Sequence, residues 1–220
     1  LRYDLYGRGY SDRPRTPYDH RLFQVQLSEL LDAIAISGPV VLAGVSMGGV
    51  ISAGYAVRYT DRVRALMLID PAAIEPRLSR AMRRRILPGV GELWMGLWGN
   101  RVCRQGLQED LFRPEGFPDY FQRFETQLAF PGFKRALLST LRCKMLENGL
   151  PIYHQAGQTG CPTLLIWGKE DRIIPFNGSK KVLEAIPHAQ FFPIDNAGHL
   201  PHYEQADLVN PLLVDFLEGL

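Results

Sequence analysis

Four short runs of consecutive apolar residues punctuate the chain: Val40 to Val45, Ala65 to Ile69, Thr163 to Trp167 and a weaker Gln190 to Ile194. None alternates apolar with polar, so each reads as a strand covered on both faces, the pattern of a parallel sheet. Between them the period changes. Residues 19 to 36 set Phe23, Leu27, Leu30, Leu31 and Ile34 at helical spacing, with Asp19 as a cap and Gly38-Pro39 as the stop. Residues 47 to 59 carry Val50, Ile51, Ala53, Tyr55, Ala56 and Val57, and residues 178 to 186 carry Val182, Leu183 and Ile186 before Pro187. A last helical pattern, Tyr203 to Leu217, contains Pro211, which predicts a kink or a restart with Asn210 as cap. Strand and helix in this rhythm predict an α/β fold built on a doubly wound, mostly parallel sheet.

The rhythm is interrupted once. Roughly ninety residues separate Asp70 from Thr163, far beyond an ordinary crossover connection. The stretch from Pro71 to about Leu150 is poor in β-branched runs and holds nine aromatic residues between Trp94 and Phe133. It reads as an inserted, mostly helical cap over residues 71–150, with residues 1–70 and 151–220 forming the core. With 220 residues and 46% hydrophobic content, one such domain buries a substantial core.

Charge narrows the function classes. The net charge of +2 marks neither a nucleic-acid surface nor a disordered tail, and no apolar run is long enough to span a membrane. Arg77, Arg80, Arg83, Arg84 and Arg85 form one basic run, which suits an acidic substrate or a lipid surface but reads more simply as a solvated helix face. Cys103, Cys143 and Cys161 lack metal-like spacing. They read as buried free thiols of a reducing, cytoplasmic compartment, although sequence alone leaves a Cys103 to Cys143 bridge open.

Chemistry concentrates where strands end. Gly44-Val45-Ser46-Met47-Gly48-Gly49 is a Gly-x-Ser-x-Gly run between an apolar strand and a helical pattern. A serine on so sharp a turn needs small residues two positions before and after it, and its hydroxyl then stands clear of the sheet. The helix beginning beside it offers backbone N–H groups and the positive end of a dipole to an oxyanion. A serine nucleophile also needs a base and a group to orient that base. His199, in the loop Asn196-Ala197-Gly198-His199-Leu200-Pro201 after the fourth strand, is the leading base, with His202 as its rival; His20, His154 and His188 read as structural or surface residues. For the acid, Asp171 follows the third strand, at the end where open α/β sheets place their sites. Glu170, Asp70 and Asp195 compete with it on position alone.

Four segments carry a resemblance: Asp4-Leu5-Tyr6-Gly7-Arg8-Gly9-Tyr10-Ser11, the Ser46 turn, Gly168-Lys169-Glu170-Asp171-Arg172-Ile173-Ile174-Pro175, and Ala197-Gly198-His199-Leu200-Pro201. With serine, aspartate and histidine in that chain order, the sequence resembles the α/β-hydrolase superfamily, especially its capped serine esterases and lipases. The resemblance implies Ser46 as nucleophile, His199 as base, Asp171 as orienting acid and the Met47 N–H as an oxyanion donor. It implies cleavage of small hydrophobic esters through an acyl-enzyme, without cofactor or metal, and with no nucleic-acid partner and no stable membrane insertion. The same triad serves carbon–carbon bond hydrolases, aminopeptidases and perhydrolases, and the fold also serves non-catalytic binding proteins. In similar hydrolases the segment like Asp4 to Ser11 follows a fourth strand. Leu1 is therefore expected not to be the biological start, and the Ser46 strand is expected to lie at an open sheet edge. A loop upstream is expected to hold the second oxyanion donor.

Overall fold

A computed structural model describes residues 1–74 and 78–220. Four parallel strands, β1 (Val40–Val45), β2 (Val63–Ile69), β3 (Thr163–Gly168) and β4 (Gln190–Ile194), lie side by side in chain order. The second strand begins at Val63, earlier than its unbroken apolar run, because exposed Arg64 interrupts the pattern without interrupting the pairing. Helices α1 (His20–Ala33), α2 (Met47–Arg58), α7 (Leu150–Gln158) and α8 (Gly178–Ala185) accompany the strands, and α9 (Pro201–Glu204) and α10 (Ala206–Glu218) close the chain. Between β2 and α7 stand α3 (Arg80–Arg85), α4 (Val90–Asp110), α5 (Pro118–Ala129) and α6 (Phe133–Arg142), with no strand among the described residues of that stretch.

The two-residue period of a strand sorts its side chains onto two cores. Leu66 and Leu68 of β2, with Leu165 and Trp167 of β3, face one layer that also takes Leu27 and Leu31 of α1, Val50 and Ala53 of α2, Tyr153 of α7 and Val182 of α8. Ala65, Met67 and Ile69 of β2, with Leu164 and Ile166 of β3, face the opposite layer, where α10 supplies Val209 and Phe216. Covering on both faces is why these strands read as unbroken apolar runs. Each fully buried leucine contributes about 1.5–3 kcal/mol relative to exposure.

Asp19 caps α1 as its sequence suggests, its side chain accepting from the Leu22 N–H at 2.9 Å. The C-terminal helical pattern differs from expectation. Its break falls at Gln205 and not at Asn210, and Pro211 lies inside α10. Proline lacks one N–H and so forfeits one hydrogen bond near the start of the helix, while Val209 and Phe216 on the same helix are buried in the core and hold it in place. Among the described residues β1 pairs with β2 alone, and Ala43 on it is exposed. Its outer side faces a groove of about 410 Å³ lined by Leu1, Tyr3, Leu27 and Leu31.

In the basic run, Arg77 lies outside the described residues. Arg83 binds Glu147 at 2.8 Å, whereas Arg80, Arg84 and Arg85 are exposed. All three cysteines are free; Cys161 is buried and the other two are half-buried. Burial pushes the Cys161 and Cys103 thiols above their usual range. No helix among the described residues is long and apolar enough to cross a membrane.

Candidate active site

Every strand runs parallel, so the loops that follow them emerge at one end of the sheet. Ser46 follows β1, Asp70 follows β2, Asp171 lies in the loop after β3, and His199 lies in the loop after β4.

Ser46 is held at φ 53° and ψ −118°, a region that costs a residue with a side chain about 1–3 kcal/mol. Hydrogen bonds on both sides fix it: its N–H donates to Ile69 O at 2.9 Å, and its carbonyl accepts from the Gly49 and Ala72 N–H groups at 2.9 and 3.0 Å. Serine at a helix N-cap ordinarily turns its hydroxyl back onto the first turn. Here the side chain makes no capping hydrogen bond, which leaves the Oγ uncommitted to the helix. Met47 opens α2, at a position whose N–H has no intrahelical acceptor.

The glycines around Ser46 divide differently from the sequence expectation. A Cβ on Gly44 would strike the Gly48 carbonyl, and one on Gly49 would lie 2.7 Å from Pro71 Cβ. A Cβ on Gly48 meets nothing within 4 Å. The turn therefore requires small residues at 44 and 49, because backbone and Pro71 press there, while position 48 faces open space. Gly44→Ala is expected to destabilise the fold by about 1–3 kcal/mol, as overpacking against immobile atoms does. Gly48→Ala is expected to be neutral or to stabilise α2 by about 0.5–1 kcal/mol. Urea unfolding of the two variants checks the contrast, and equal stabilities would refute it.

Asp171 is 6% exposed and His199 4% exposed. Asp171 Oδ1 accepts from the Ile173 and Ile174 N–H groups at 2.7 and 2.9 Å, an Asx turn that aims Oδ2 outward. Oδ2 meets His199 Nδ1 at 2.7 Å. A carboxylate only accepts, so in the neutral imidazole Nδ1 carries the proton and Nε2 keeps the lone pair that a base needs.

The His199 loop is anchored from several sides. Glu170 Oε2 accepts from the Ala197 N–H at 3.0 Å, and Glu204 Oε2 accepts from the Gly198 N–H at 2.6 Å. The His199 N–H donates to Asp110 O at 2.8 Å, and Glu204 Oε1 takes the Phe112 N–H at 2.8 Å. A Cβ on Gly168 would strike the Gly198 carbonyl, so glycine there is what lets β3 approach this loop. Glu204 thus ties the loop to the end of α4. No motif marks Glu204 in the sequence beyond its being an acidic residue on the helix that follows the loop.

The rival groups have other occupations. His202 is half-buried with an unpartnered Nδ1, and burial and then the nearby His199 hold its pKa below the usual histidine range. His154 and His188 are exposed. His20 is half-buried, and burial lowers its pKa. Glu170 serves the loop backbone, and exposed Asp195 pairs with Lys169 at 2.6 Å. Asp70 alone of the three rival carboxylates is fully buried; its Oδ1 accepts from the Gly168 N–H at 3.0 Å. Asp70, Asp171 and His199 bring ligand-type atoms within 4.8 Å of one another. Within this cluster Asp171 accepts from two backbone N–H groups and meets the imidazole, and Asp70 Oδ1 accepts from Gly168.

The model of the alpha/beta hydrolase family matches residues 1–212. The chain belongs to that family. Among family relatives, the AB hydrolase superfamily protein YisY of Bacillus subtilis (strain 168) is 26% identical over 218 residues, covering 97% of this chain and 79% of that protein. Lipase 1 of Psychrobacter immobilis is 27% identical, with 93% of this chain matched to 64% of the lipase. A 2-hydroxy-6-oxononadienedioate/2-hydroxy-6-oxononatrienedioate hydrolase of Comamonas testosteroni is 28% identical, covering 80% and 62% respectively. The chain thus spans less than two thirds of the latter two. The alpha/beta hydrolase fold is shared with solved family members such as MGS-M2, from a Medee basin deep-sea metagenome library, at a TM-score of 0.79 and 20% identity over 99% of this chain and 78% of that one.

Proposed function

We propose that this chain carries the catalytic machinery of a serine hydrolase that cleaves carboxylic esters, with Ser46 as nucleophile, His199 as base, Asp171 as orienting acid and the Met47 N–H as an oxyanion donor. The observation that carries the proposal is the buried 2.7 Å Asp171–His199 pair, set at the same end of the sheet as a serine whose hydroxyl caps nothing. Ser46 Oγ attacks the ester carbonyl while His199 Nε2 takes its proton, and negative charge develops on the carbonyl oxygen beside the α2 N-terminus. Collapse of this intermediate breaks the bond to the alcohol, which leaves with the proton from His199. Water, deprotonated by the same nitrogen, then attacks the acyl-enzyme and frees the acid and Ser46.

Residues 71–150, in this reading, form a cap that sets substrate choice. Contacts from this region reach the site: Glu204 binds the Phe112 N–H, and Tyr203 packs on Phe117 with ring centroids 5.2 Å apart. Many of the aromatics are occupied with one another, as in the Phe124–Phe133 and Tyr120–Phe121 edge contacts. The preference for a small hydrophobic ester therefore rests on the lipase relative more than on these rings.

Fluorophosphonate treatment is expected to add the phosphonyl mass to the Ser46 peptide, and a series of nitrophenyl esters of rising acyl length should show burst release of nitrophenol. No adduct on Ser46 in active protein would overturn the assignment. The Comamonas relative supports a second reading, carbon–carbon bond hydrolysis on the same triad. Turnover of a 2-hydroxy-6-oxo-dienoate exceeding that of every ester would favour it.

A further inference from the structure

Asp70 has no part in that mechanism, yet it occupies the centre of the strand ends, between the strands that lead to Ser46 and Asp171. It is 0% exposed, and its backbone sits at φ 42°, uncommon for a residue other than glycine. Its Oδ1 is satisfied by the Gly168 N–H at 3.0 Å. Its Oδ2 is buried and has no hydrogen-bond partner. The side-chain oxygen that lies nearby is one of Asp171, within 4.8 Å of an Asp70 carboxylate oxygen.

Two carboxylates within 4.8 Å of each other in a buried site repel as anions, which favours a proton on one of them. The surrounding donors decide which. Asp171 receives the N–H groups of Ile173 and Ile174 and the imidazole of His199, all favouring its anion. Asp70 receives one backbone N–H.

We propose that Asp70 is a neutral carboxylic acid whose Oδ2–H donates to the Asp171 carboxylate, making it a positioning residue for the base. The proton resolves the orphaned oxygen, gives Asp171 a further donor that fixes its plane toward His199, and keeps the buried cluster at one negative charge. The titratable groups bearing on Asp70 are Asp171, His199 and, farther off, Glu204 on α9. Burial first and then the Asp171 charge hold the Asp70 carboxyl well above the usual carboxylate range.

The test compares Asp70→Asn with Asp70→Ala in the same chain. Asparagine keeps both bonds, its carbonyl accepting from Gly168 and its amide donating to Asp171, but it cannot titrate; alanine keeps neither. The infrared difference between parent and Asp70→Asn at neutral pH is expected to show the C=O stretch of a protonated carboxyl, shifted by deuterium exchange. Asp70→Asn should keep kcat/KM within a few-fold of the parent with an unmoved acid limb, while Asp70→Ala loses about a hundredfold in kcat, the scale of a misplaced catalytic group. Because the native carboxyl is held above its unfolded value, the stability this proton gives is full below about pH 3.9 and drains away as pH rises toward the folded pKa. The parent should therefore lose stability relative to Asp70→Asn as pH rises above about 4, in urea unfolding followed across pH.

Absence of the protonated-carboxyl band overturns the proposal. So does an acid limb that moves down by about a pH unit in Asp70→Asn, the signature of removing an anion from beside an imidazolium. The proposal rests on the triad reading only for the positioning role. The infrared band and the unfolding series need no turnover, so failure of ester hydrolysis and failure of this inference give different results.

Discussion

Replacing Ser46 by alanine is expected to cut ester turnover by about ten-thousandfold or more while leaving the urea midpoint almost unchanged. The loss corresponds to about 5.5 kcal/mol of transition-state stabilisation, since each factor of ten is about 1.36 kcal/mol. The unchanged stability is the less obvious half. Ser to Ala at an N-cap usually costs about 1 kcal/mol because a helix N–H loses its acceptor. The Ser46 side chain caps no N–H of α2, so the deletion removes no such bond. Backbone strain at φ 53° is common to both residues, because each carries a Cβ, and the bonds to Ile69, Gly49 and Ala72 use only main-chain atoms. A stable, inert variant would locate the reaction on the Oγ. A stable variant that keeps turnover would remove Ser46 from the chemistry, and a destabilised one would show that the hydroxyl has a structural role.

Much of this architecture is legible in the one-dimensional pattern, for a physical reason. Parallel strands covered on both faces must be apolar throughout, so Ala65 to Ile69 and Thr163 to Trp167 stand out without any neighbour being known. Local chemistry is equally readable: Asp19 caps α1 through a hydrogen bond spanning three residues. Where the deciding contact is distant in sequence, the pattern falls short. The motif predicts a small residue at position 48, whereas Pro71 makes Gly49 the crowded position. Pro211 looked like a break, but a core that the helix pattern does not display holds α10 together around it. The choice among Asp70, Glu170, Asp171 and Asp195 could not be made from strand-end position, since all four share it. It depends on which carboxylate is turned by the Ile173 and Ile174 N–H groups toward a histidine 28 residues away. Glu204 was invisible for the same reason: its partner Phe112 is 92 residues distant, across the helical stretch.

Asp171→Asn is expected to fall about as far as Ser46→Ala, near ten-thousandfold in kcat, through an almost isosteric change. The Asx turn supplies the reason. Two backbone N–H groups require an acceptor at Oδ1, so the asparagine carbonyl must take that place. The amide nitrogen is then left facing His199 Nδ1 across the 2.7 Å contact. An amide N–H donates, which forces the imidazole to present a lone pair at Nδ1 and to carry its proton on Nε2. That nitrogen can no longer accept from Ser46. The variant should remain folded, keep KM near that of the parent, and recover part of its rate at alkaline pH, where hydroxide replaces the missing base. Measuring kcat and KM across pH for Asp171→Asn beside Asp171→Ala separates this tautomer effect from loss of position, because alanine forces no tautomer on His199. Turnover within about tenfold of the parent in Asp171→Asn would mean that another carboxylate orients the base, and Asp70, within 4.8 Å of both partners, is the group that geometry would put in its place.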